Sequence, residues 1–110
     1  MSRPTTVLFV CLGNICRSPM AEGVFRHLCD QAGIAEKIVT DSAGTGNWHI
    51  GNPPDPRAIQ AAAQRNIDIS NLRARQVKDE DFLSFDHVFA MDRNNLSTLL
   101  SRSPADAPAA

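Results

Sequence analysis

Apolar residues along this chain fall into short continuous runs, separated by stretches that have helical spacing. Three runs have the length and composition of strands: residues 7–10, 38–40 and 87–91. Continuous rather than alternating apolar runs are typical of strands that are covered on both faces of a parallel sheet. The pattern therefore predicts parallel strands, with a right-handed crossover from the first to the second.

Helix-start signals lie between and after these strands. Ser18-Pro19 and Asp55-Pro56 each place a capping side chain before a proline at the first helical position, and Asp92 follows the third strand. Strands that alternate with helices predict a doubly wound α/β sheet. Ligands of such sheets bind at the carboxyl ends of the strands, so we expect the functional residues in the segments that follow them.

Length and composition fit one compact domain. The chain has 110 residues, of which 43% are hydrophobic and 21% are charged. We therefore predict a single domain over residues 1–110, with residues 103–110 as a frayed tail. A formal net charge of −1 argues against broad electrostatic binding to nucleic acid or to an anionic membrane.

Cysteine and histidine usage gives the expected compartment and argues against a metal. The three cysteines (Cys11, Cys16 and Cys29) are an odd number and form no disulfide framework, and the start of the chain shows no secretory signal. We therefore expect a cytoplasmic protein with reduced thiols. His27, His49 and His87 are spread along the chain and suggest no ligand cluster, so we predict no metal and no cofactor.

The segment Cys11–Ser18 carries the most specific signal. A cysteine and an arginine are separated by five residues, between a buried strand and a helix start. Backbone N–H groups of such a loop can converge on an anion, and Arg17 can offer a planar fork to two phosphate oxygens. Gly13 and Asn14 tolerate the positive φ that a tight turn requires. The predicted phosphate-binding residues are Leu12, Gly13, Asn14, Ile15, Cys16 and Arg17.

The position of Cys11 at this loop suggests a nucleophile. A free cysteine titrates near 8.5, and helix amino ends and nearby cations lower this value to roughly 3.5–7.5. We therefore expect a thiolate at Cys11, with Ser18 close enough in sequence to donate a hydrogen bond to it. The reaction class predicted is attack on a phosphoryl group, a phosphocysteine intermediate and hydrolysis by water. The alternative is a buried structural thiol beside a solvated arginine.

Five segments of the chain, the first of which contains the loop, resemble segments that occur in the same order in a known protein family. They are residues 10–22, 41–45, 48–58, 74–76 and 85–92. From Val7 to about Leu100 the chain resembles the low-molecular-weight protein-tyrosine phosphatase family. The resemblance implies a flavodoxin-like sheet, phosphotyrosine or small aryl phosphates as substrates, and inorganic phosphate as product.

The resemblance also implies roles for individual residues. Cys11 would be the nucleophile, Arg17 would bind phosphate and stabilise the transition state, and Ser18 would assist the thiolate. Asn14 and Ser42 would brace the loop, and Trp48 and His49 would line the substrate cleft, although a core position for the tryptophan remains an alternative. Cys16 would form a reversible disulfide with Cys11, or would only fill space. Three further cations are expected on a solvated face: Arg73, Arg75 and Lys78.

The chain departs from the family pattern at its end. Family members continue with a fourth strand, a closing helix and an Asp-Pro loop that holds the general acid, and nothing here matches them. Asp106 is followed by alanine, so the acid role is not assigned to it. We expect weakened catalysis. With strand order 2-1-3-4, the third strand would be left as an edge that favours self-association.

Two other functions fit parts of the sequence. An arsenate reductase of the same fold uses a similar loop, but it needs resolving cysteines well beyond the loop, and this chain has none after Cys29. A phosphate-binding module without catalysis would fit the missing acid, whereas the presence of both Cys11 and Arg17 argues against it.

Overall fold

The computed structural model describes residues 3–15 and 17–102. Strands and helices alternate, as the sequence predicts. In chain order the elements are β1 (Thr5–Cys11), α1 (Arg17–Gln31), a 3₁₀ turn (Ala35–Lys37), β2 (Ile38–Gly44), α2 (Pro56–Ala63), α3 (Asp81–Ser84), β3 (His87–Ala90) and α4 (Arg93–Arg102). The predicted tail at residues 103–110 lies outside the described residues.

The described strands form one parallel sheet in the order β2-β1-β3. This confirms the predicted α/β class with a parallel sheet, and β1 occupies the centre. β2 is longer than the predicted run of residues 38–40, because residues 41–44 continue the ladder opposite Leu8 to Cys11. This extension begins with the polar residues Asp41 and Ser42, so it was not recognised as part of an apolar run.

Helices cover both faces of the sheet. On one face, Leu8 and Val10 of β1 are fully buried in a cluster with Phe82, Val88 and Leu99. On the other face, Phe9 contacts Phe25 of α1 edge-on, with the ring centroids 5.7 Å apart. The sheet is therefore doubly wound, and alternate residues of β1 hold the two layers together.

The third strand forms one side of this sheet. β3 pairs with β1, and among the residues that the structure describes no strand pairs with its other side. The side chain of Phe89 is 49% exposed and stacks on Phe9, with centroids 5.8 Å apart. The predicted self-association through β3 stays a prediction. None of the described helices is long and apolar enough to cross a membrane.

Asp86, in the turn before β3, forms hydrogen bonds with the amino end of β1. Its carboxylate accepts hydrogen bonds from the backbone N–H of Thr6 (2.9 Å) and from the Arg3 guanidinium (2.5 and 3.2 Å). The hydrogen bond from Arg3, followed by that from Thr6, lowers the pKa of Asp86 from 3.8 to about 2. The ionised carboxylate therefore favours the folded state.

Replacing Asp86 tests whether its ionised carboxylate stabilises the folded state. Because its folded pKa lies below the unfolded value, Asp86 stabilises the protein above about pH 4, and this stabilisation disappears as the pH falls to about 2. We expect Asp86→Asn to lower the free energy of unfolding at pH 7, with a difference from the parent that shrinks below pH 4. Urea denaturation between pH 7 and pH 3 measures this difference. Glu36→Gln, at an exposed position, serves as control, and a pH-independent effect of Asp86→Asn would contradict the assignment.

Candidate active site

Cys11 is the last residue of β1, and its thiol lies inside the loop that leads to α1. The side chain is buried, and its Sγ accepts a hydrogen bond from the backbone N–H of Asn14 at 3.1 Å. The Sγ also lies 2.9 Å from the Oγ of Ser18, in the first turn of α1. Both contacts fold residues 11–15 back onto the sulfur.

The hydroxyl of Ser18 is oriented by its neighbours. The Nδ2 of Asn14 donates to the Ser18 Oγ at 2.8 Å, so this oxygen already acts as an acceptor. Its hydrogen then has two possible acceptors, the Cys11 Sγ at 2.9 Å and the Ala43 carbonyl at 3.5 Å. The shorter contact favours donation to the sulfur, and a donor at this position stabilises a thiolate.

Three carbonyl groups of the loop point toward surrounding segments. Each of these three accepts a backbone hydrogen bond: Thr45 N to Cys11 O (2.9 Å), Gly46 N to Leu12 O (2.9 Å) and Asp55 N to Ile15 O (2.6 Å). In a trans peptide the N–H points opposite to the carbonyl. The amides of Leu12 and Gly13 therefore face the inside of the loop, as an anion-binding nest requires.

The positive φ of the turn is found at Asn14 but not at Gly13. Asn14 has φ of 58°, in the left-handed region that asparagine tolerates. Gly13, which would also tolerate a positive φ, does not adopt one. A Cβ at Gly13 would instead lie 3.0 Å from the Cδ2 of His49. Its lack of a side chain therefore serves the close packing of His49 against the loop.

Arg17 begins α1, and its guanidinium lies at the rim of the loop. The side chain is 54% exposed, and its Nη2 donates to the Oδ2 of Asp92 at 2.8 Å. The other oxygen of Asp92 accepts from the backbone N–H of Asn95 at 2.8 Å, as a helix cap does. The Asn95 hydrogen bond and then Arg17 lower the pKa of Asp92. Because this ion pair is exposed to solvent, it is weak. It orients the Arg17 guanidinium but does not prevent it from binding another anion.

The expected cleft residues surround a cavity of about 240 Å³ at the loop. Trp48 is 67% exposed, which excludes the core position that the sequence left open. His49 packs against Gly13 on the same side. The lining residues are Cys11, Leu12, Gly13, Ile15, Arg17, Trp48 and His49.

Ser42 has a different partner from the one expected. Its Oγ donates to the Oε1 of Glu22 at 2.8 Å, and no hydrogen bond described for it reaches the loop. Glu22 is buried on α1, and burial raises the pKa of its carboxyl in spite of the Ser42 and Arg26 hydrogen bonds. β2 presents this side chain to α1, and the bracing of the loop by Ser42 stays a prediction.

Arg75 is the site residue that the sequence reasoning missed. Its backbone N–H donates to the Oδ1 of Asn14 at 3.0 Å. Its guanidinium is bound by the carboxylates of Asp41 and Asp81. The prediction of a solvated face holds for Arg73 and Lys78, which are exposed, but it was wrong for Arg75. The signal that could have indicated its ion pairs was the presence of Asp41 earlier in the chain and of Asp81 six residues after it.

The two other cysteines are Cys16 and Cys29. Cys16, the predicted redox partner, lies outside the described residues. Cys29 is buried on α1, away from the loop cavity. Within residues 3–15 and 17–102, no group of three or more His, Cys, Asp or Glu side chains could hold a metal ion.

A strand-loop-helix unit with a buried cysteine, inward amides and an arginine at the rim defines a class of anion-binding proteins. Within that class, the family model of low molecular weight phosphotyrosine protein phosphatase matches residues 6–108. The chain belongs to this family.

Two relatives show how far the sequence similarity extends. The low molecular weight phosphotyrosine protein phosphatase of Schizosaccharomyces pombe is 50% identical over 100 residues, which are 90% of this chain and 64% of that protein. YfkJ of Bacillus subtilis, a low molecular weight protein-tyrosine-phosphatase, is 50% identical over 96 residues, 87% of this chain and 62% of its own length. The chain thus spans a little over six tenths of these curated relatives.

Solved structures agree with the sequence comparison. The crystal structure of YfkJ superposes with a TM-score of 0.93 at 44% identity, over 98% of this chain and 69% of that one. Vibrio vulnificus Wzb in complex with benzylphosphonate superposes with a TM-score of 0.81 at 28% identity, over 91% of this chain and 66% of that one. The flavodoxin-like fold is shared.

Gly44 at the end of β2 is expected to be intolerant of a side chain. A Cβ there would lie 2.8 Å from the Leu12 carbonyl oxygen and 3.2 Å from the Asn14 nitrogen. We therefore expect Gly44→Ala to displace the loop, to cost about 1–3 kcal/mol of stability and to weaken the binding of inorganic phosphate. Chemical denaturation and isothermal titration measure the two effects.

A matched glycine separates the loop from stability alone. Gly33 has φ of +73° and open space around a Cβ, so Gly33→Ala strains the backbone far from the loop. This variant should be less stable and should bind phosphate as the parent does. Parent-like phosphate affinity in Gly44→Ala would show that this contact does not shape the site.

Proposed function

We propose that this chain carries the nucleophile and phosphate-binding loop of a phosphatase that hydrolyses phosphotyrosine and other aryl phosphate monoesters through a phosphocysteine intermediate. The observation that carries the proposal is the pair of hydrogen bonds at the Cys11 Sγ, which accepts from Asn14 N (3.1 Å) and shares a hydrogen bond with Ser18 Oγ (2.9 Å), a donor to a thiolate. A buried sulfur with two such donors is set up to hold negative charge. Family membership supports the same reaction.

The first step transfers the phosphoryl group to the sulfur. The Cys11 thiolate attacks phosphorus in line with the ester oxygen, the S–P bond forms and the P–O bond to the aryl group breaks. The electron pair leaves with the aryl oxygen, which ends as a phenol after taking up a proton. The inward amides of the loop and the fork of Arg17 stabilise the equatorial oxygens of the transferring group.

The second step restores the enzyme. Water attacks the phosphorus of the intermediate, the S–P bond breaks, and inorganic phosphate and the thiolate are formed. Ser18 and Asn14 stabilise the leaving thiolate through the same hydrogen bonds that hold it in the free protein. The attacking water loses a proton to solvent or to a base.

The cleft supports an aryl substituent on the phosphate. The exposed ring of Trp48 and the side chain of His49 form one wall of the cavity above the loop. An aryl group esterified to a phosphate in the loop would lie against this wall. A relative, Wzb, has been solved in complex with benzylphosphonate, an aromatic phosphonate, which supports an aryl substituent on the bound phosphate.

The carboxylate that contacts Arg17 is a poor proton donor for the leaving group. The hydrogen bonds from Asn95 and Arg17 lower the pKa of Asp92, so this side chain is ionised at neutral pH. A general acid works best with a pKa near the operating pH. We therefore propose that Asp92 orients Arg17 and does not protonate the leaving oxygen.

The two other functions have less support. The comparisons match a phosphotyrosine phosphatase family and do not favour an arsenate reductase. A phosphate-binding module without catalysis would keep the loop but would form no covalent intermediate. Trapping of phosphocysteine by acid quench and mass spectrometry separates this module from an enzyme.

Replacing Cys11 and Arg17 tests the proposal directly. We expect Cys11→Ser to abolish p-nitrophenyl phosphate hydrolysis and Arg17→Ala to lower kcat/KM about 10³-fold, because each removes an interaction with the transition state. Cys29→Ala removes a buried thiol outside the loop and should retain activity. Hydrolysis that survives in Cys11→Ser would rule out the phosphocysteine route.

The choice of leaving group tests the role assigned to Asp92. A nitrophenolate leaves without a proton, whereas the phenol of tyrosine titrates near 10 and needs one. Because general acid catalysis is worth about 10²–10⁴ in rate, we expect kcat/KM of this 110-residue chain to be at least about 10²-fold higher for p-nitrophenyl phosphate than for phosphotyrosine.

Asp92→Asn provides the control for this comparison. If Asp92 only orients Arg17, the variant can lower both values of kcat/KM but should leave their ratio unchanged. Equal values for the two substrates in the parent, or a ratio that rises in Asp92→Asn, would show that a carboxyl of this site does protonate the leaving oxygen.

A further inference from the structure

We propose that Arg75 is a positioning residue that sets the direction of the hydrogen bonds leading to the Cys11 sulfur. The inference rests on the proposed function only in that Cys11 reacts as a thiolate. Arg75 is not among the residues that line the loop cavity, so it acts through Asn14 and not on a substrate.

The hydrogen bonds from Arg75 to Cys11 form a chain with a fixed direction. The backbone N–H of Arg75 can only donate, so the Asn14 side chain must turn its Oδ1 toward it, at 3.0 Å. The Nδ2 of Asn14 then faces Ser18 and donates to its Oγ at 2.8 Å. A Cys11 thiolate can only accept, so the Ser18 hydroxyl, 2.9 Å away, then donates to the sulfur.

The direction of these hydrogen bonds matters because the groups that form them are buried. Asn14, Ser18 and Cys11 are 2%, 0% and 4% exposed, so water has little access to replace a lost partner. A flipped Asn14 amide would set its N–H₂ against the Arg75 N–H and its oxygen against the Ser18 Oγ. The hydroxyl would then donate to Asn14, and the sulfur would lose a donor.

The Arg75 backbone is held beside the loop by β2. The N–H of Gly44 donates to the Arg75 carbonyl at 2.8 Å, and Gly44 forms a parallel bridge with Gln76. Gly44 in turn lies directly against the Leu12–Asn14 backbone. The carbonyl and the N–H of Arg75 therefore connect the end of β2 with the turn of the loop.

The side chain of Arg75 fixes this segment from the other side. Its guanidinium donates two hydrogen bonds to Asp81, Nη1 to Oδ2 at 2.9 Å and Nη2 to Oδ1 at 3.2 Å. Its Nε donates to the Oδ2 of Asp41 at 3.1 Å, and its Nη2 lies 3.0 Å from the same oxygen. Asp41 belongs to β2 and Asp81 to α3, so the planar fork joins two elements, which an ammonium group could not do equally well.

The test measures thiolate at Cys11 without using phosphatase activity. The measured quantity is the rate of Cys11 alkylation by iodoacetamide at pH 6 divided by the rate at pH 9. We expect this ratio to be about tenfold lower in Arg75→Met than in the parent, because one hydrogen bond to a charged sulfur is lost. Tandem mass spectrometry assigns the label to Cys11. Arg75→Lys should give an intermediate ratio.

Arg73→Met is the matched control. Arg73 is an exposed arginine two positions away whose described hydrogen bonds go to the carbonyls of Ser70 and Leu72. Its variant should keep the parent ratio of alkylation rates at pH 6 and pH 9. A merely structural role for Arg75 would lower the melting temperature and leave this ratio unchanged.

The outcomes separate this inference from the proposed function. A parent-like ratio in folded Arg75→Met would overturn the positioning role, and if that variant does not fold, a parent-like ratio in Arg75→Lys would overturn it. A parent protein whose Cys11 reacts at pH 6 no faster than a free thiol would contradict the thiolate and so the proposed function. A low ratio in Arg75→Met with rapid alkylation of the parent supports the positioning role, whatever the phosphatase assay shows.

Discussion

The side-chain amide of Asn14 is the contact on which the rest of the site depends. Its left-handed backbone, with φ of 58°, turns the loop, and its N–H lies 3.1 Å from the sulfur of Cys11. Its side chain has a donor end and an acceptor end, and both are used, toward Ser18 and toward the Arg75 backbone. One buried residue thus fixes the shape of the loop and the direction of its hydrogen bonds. A hydrophobic residue of similar size could fill the space but could do neither.

The parallel sheet explains why these groups meet. The carboxyl ends of β1 and β2 lie side by side, with Cys11 paired opposite Gly44. The strand β1 delivers the sulfur, β2 delivers the glycine that admits the loop, and the turn after β3 delivers Asp92 to Arg17. Each element is buried for ordinary hydrophobic reasons, and the chemistry occupies the edge where the strands stop. The polar network therefore lies at the carboxyl end of this core and joins it at Cys11 and Ala43.

The sequence predicted the features that local pattern determines. The apolar run of β1, the proline at the start of α2 and the spacing of Cys11 and Arg17 each report on a few neighbouring residues, and the structure has the corresponding elements. What escaped prediction depends on distant parts of the chain. Arg75 reads as a surface cation until the fold places Asp41 and Asp81 around it. The contact of Ser42 with Glu22 exists only because the fold brings α1 against β2, and Gly13 is needed because the fold places His49 against it.

A crystal structure of the protein with inorganic vanadate tests the central claim most directly, since vanadate is a tetrahedral oxyanion that can bond to a thiolate. The account predicts vanadium within bonding distance of the Cys11 Sγ, with oxygens that accept from the inward amides of the loop and from the Arg17 guanidinium. The Asn14 side chain should keep its oxygen toward Arg75 and its nitrogen toward Ser18. Vanadate bound elsewhere, or a loop whose Cys11 sulfur points away from the anion, would contradict it.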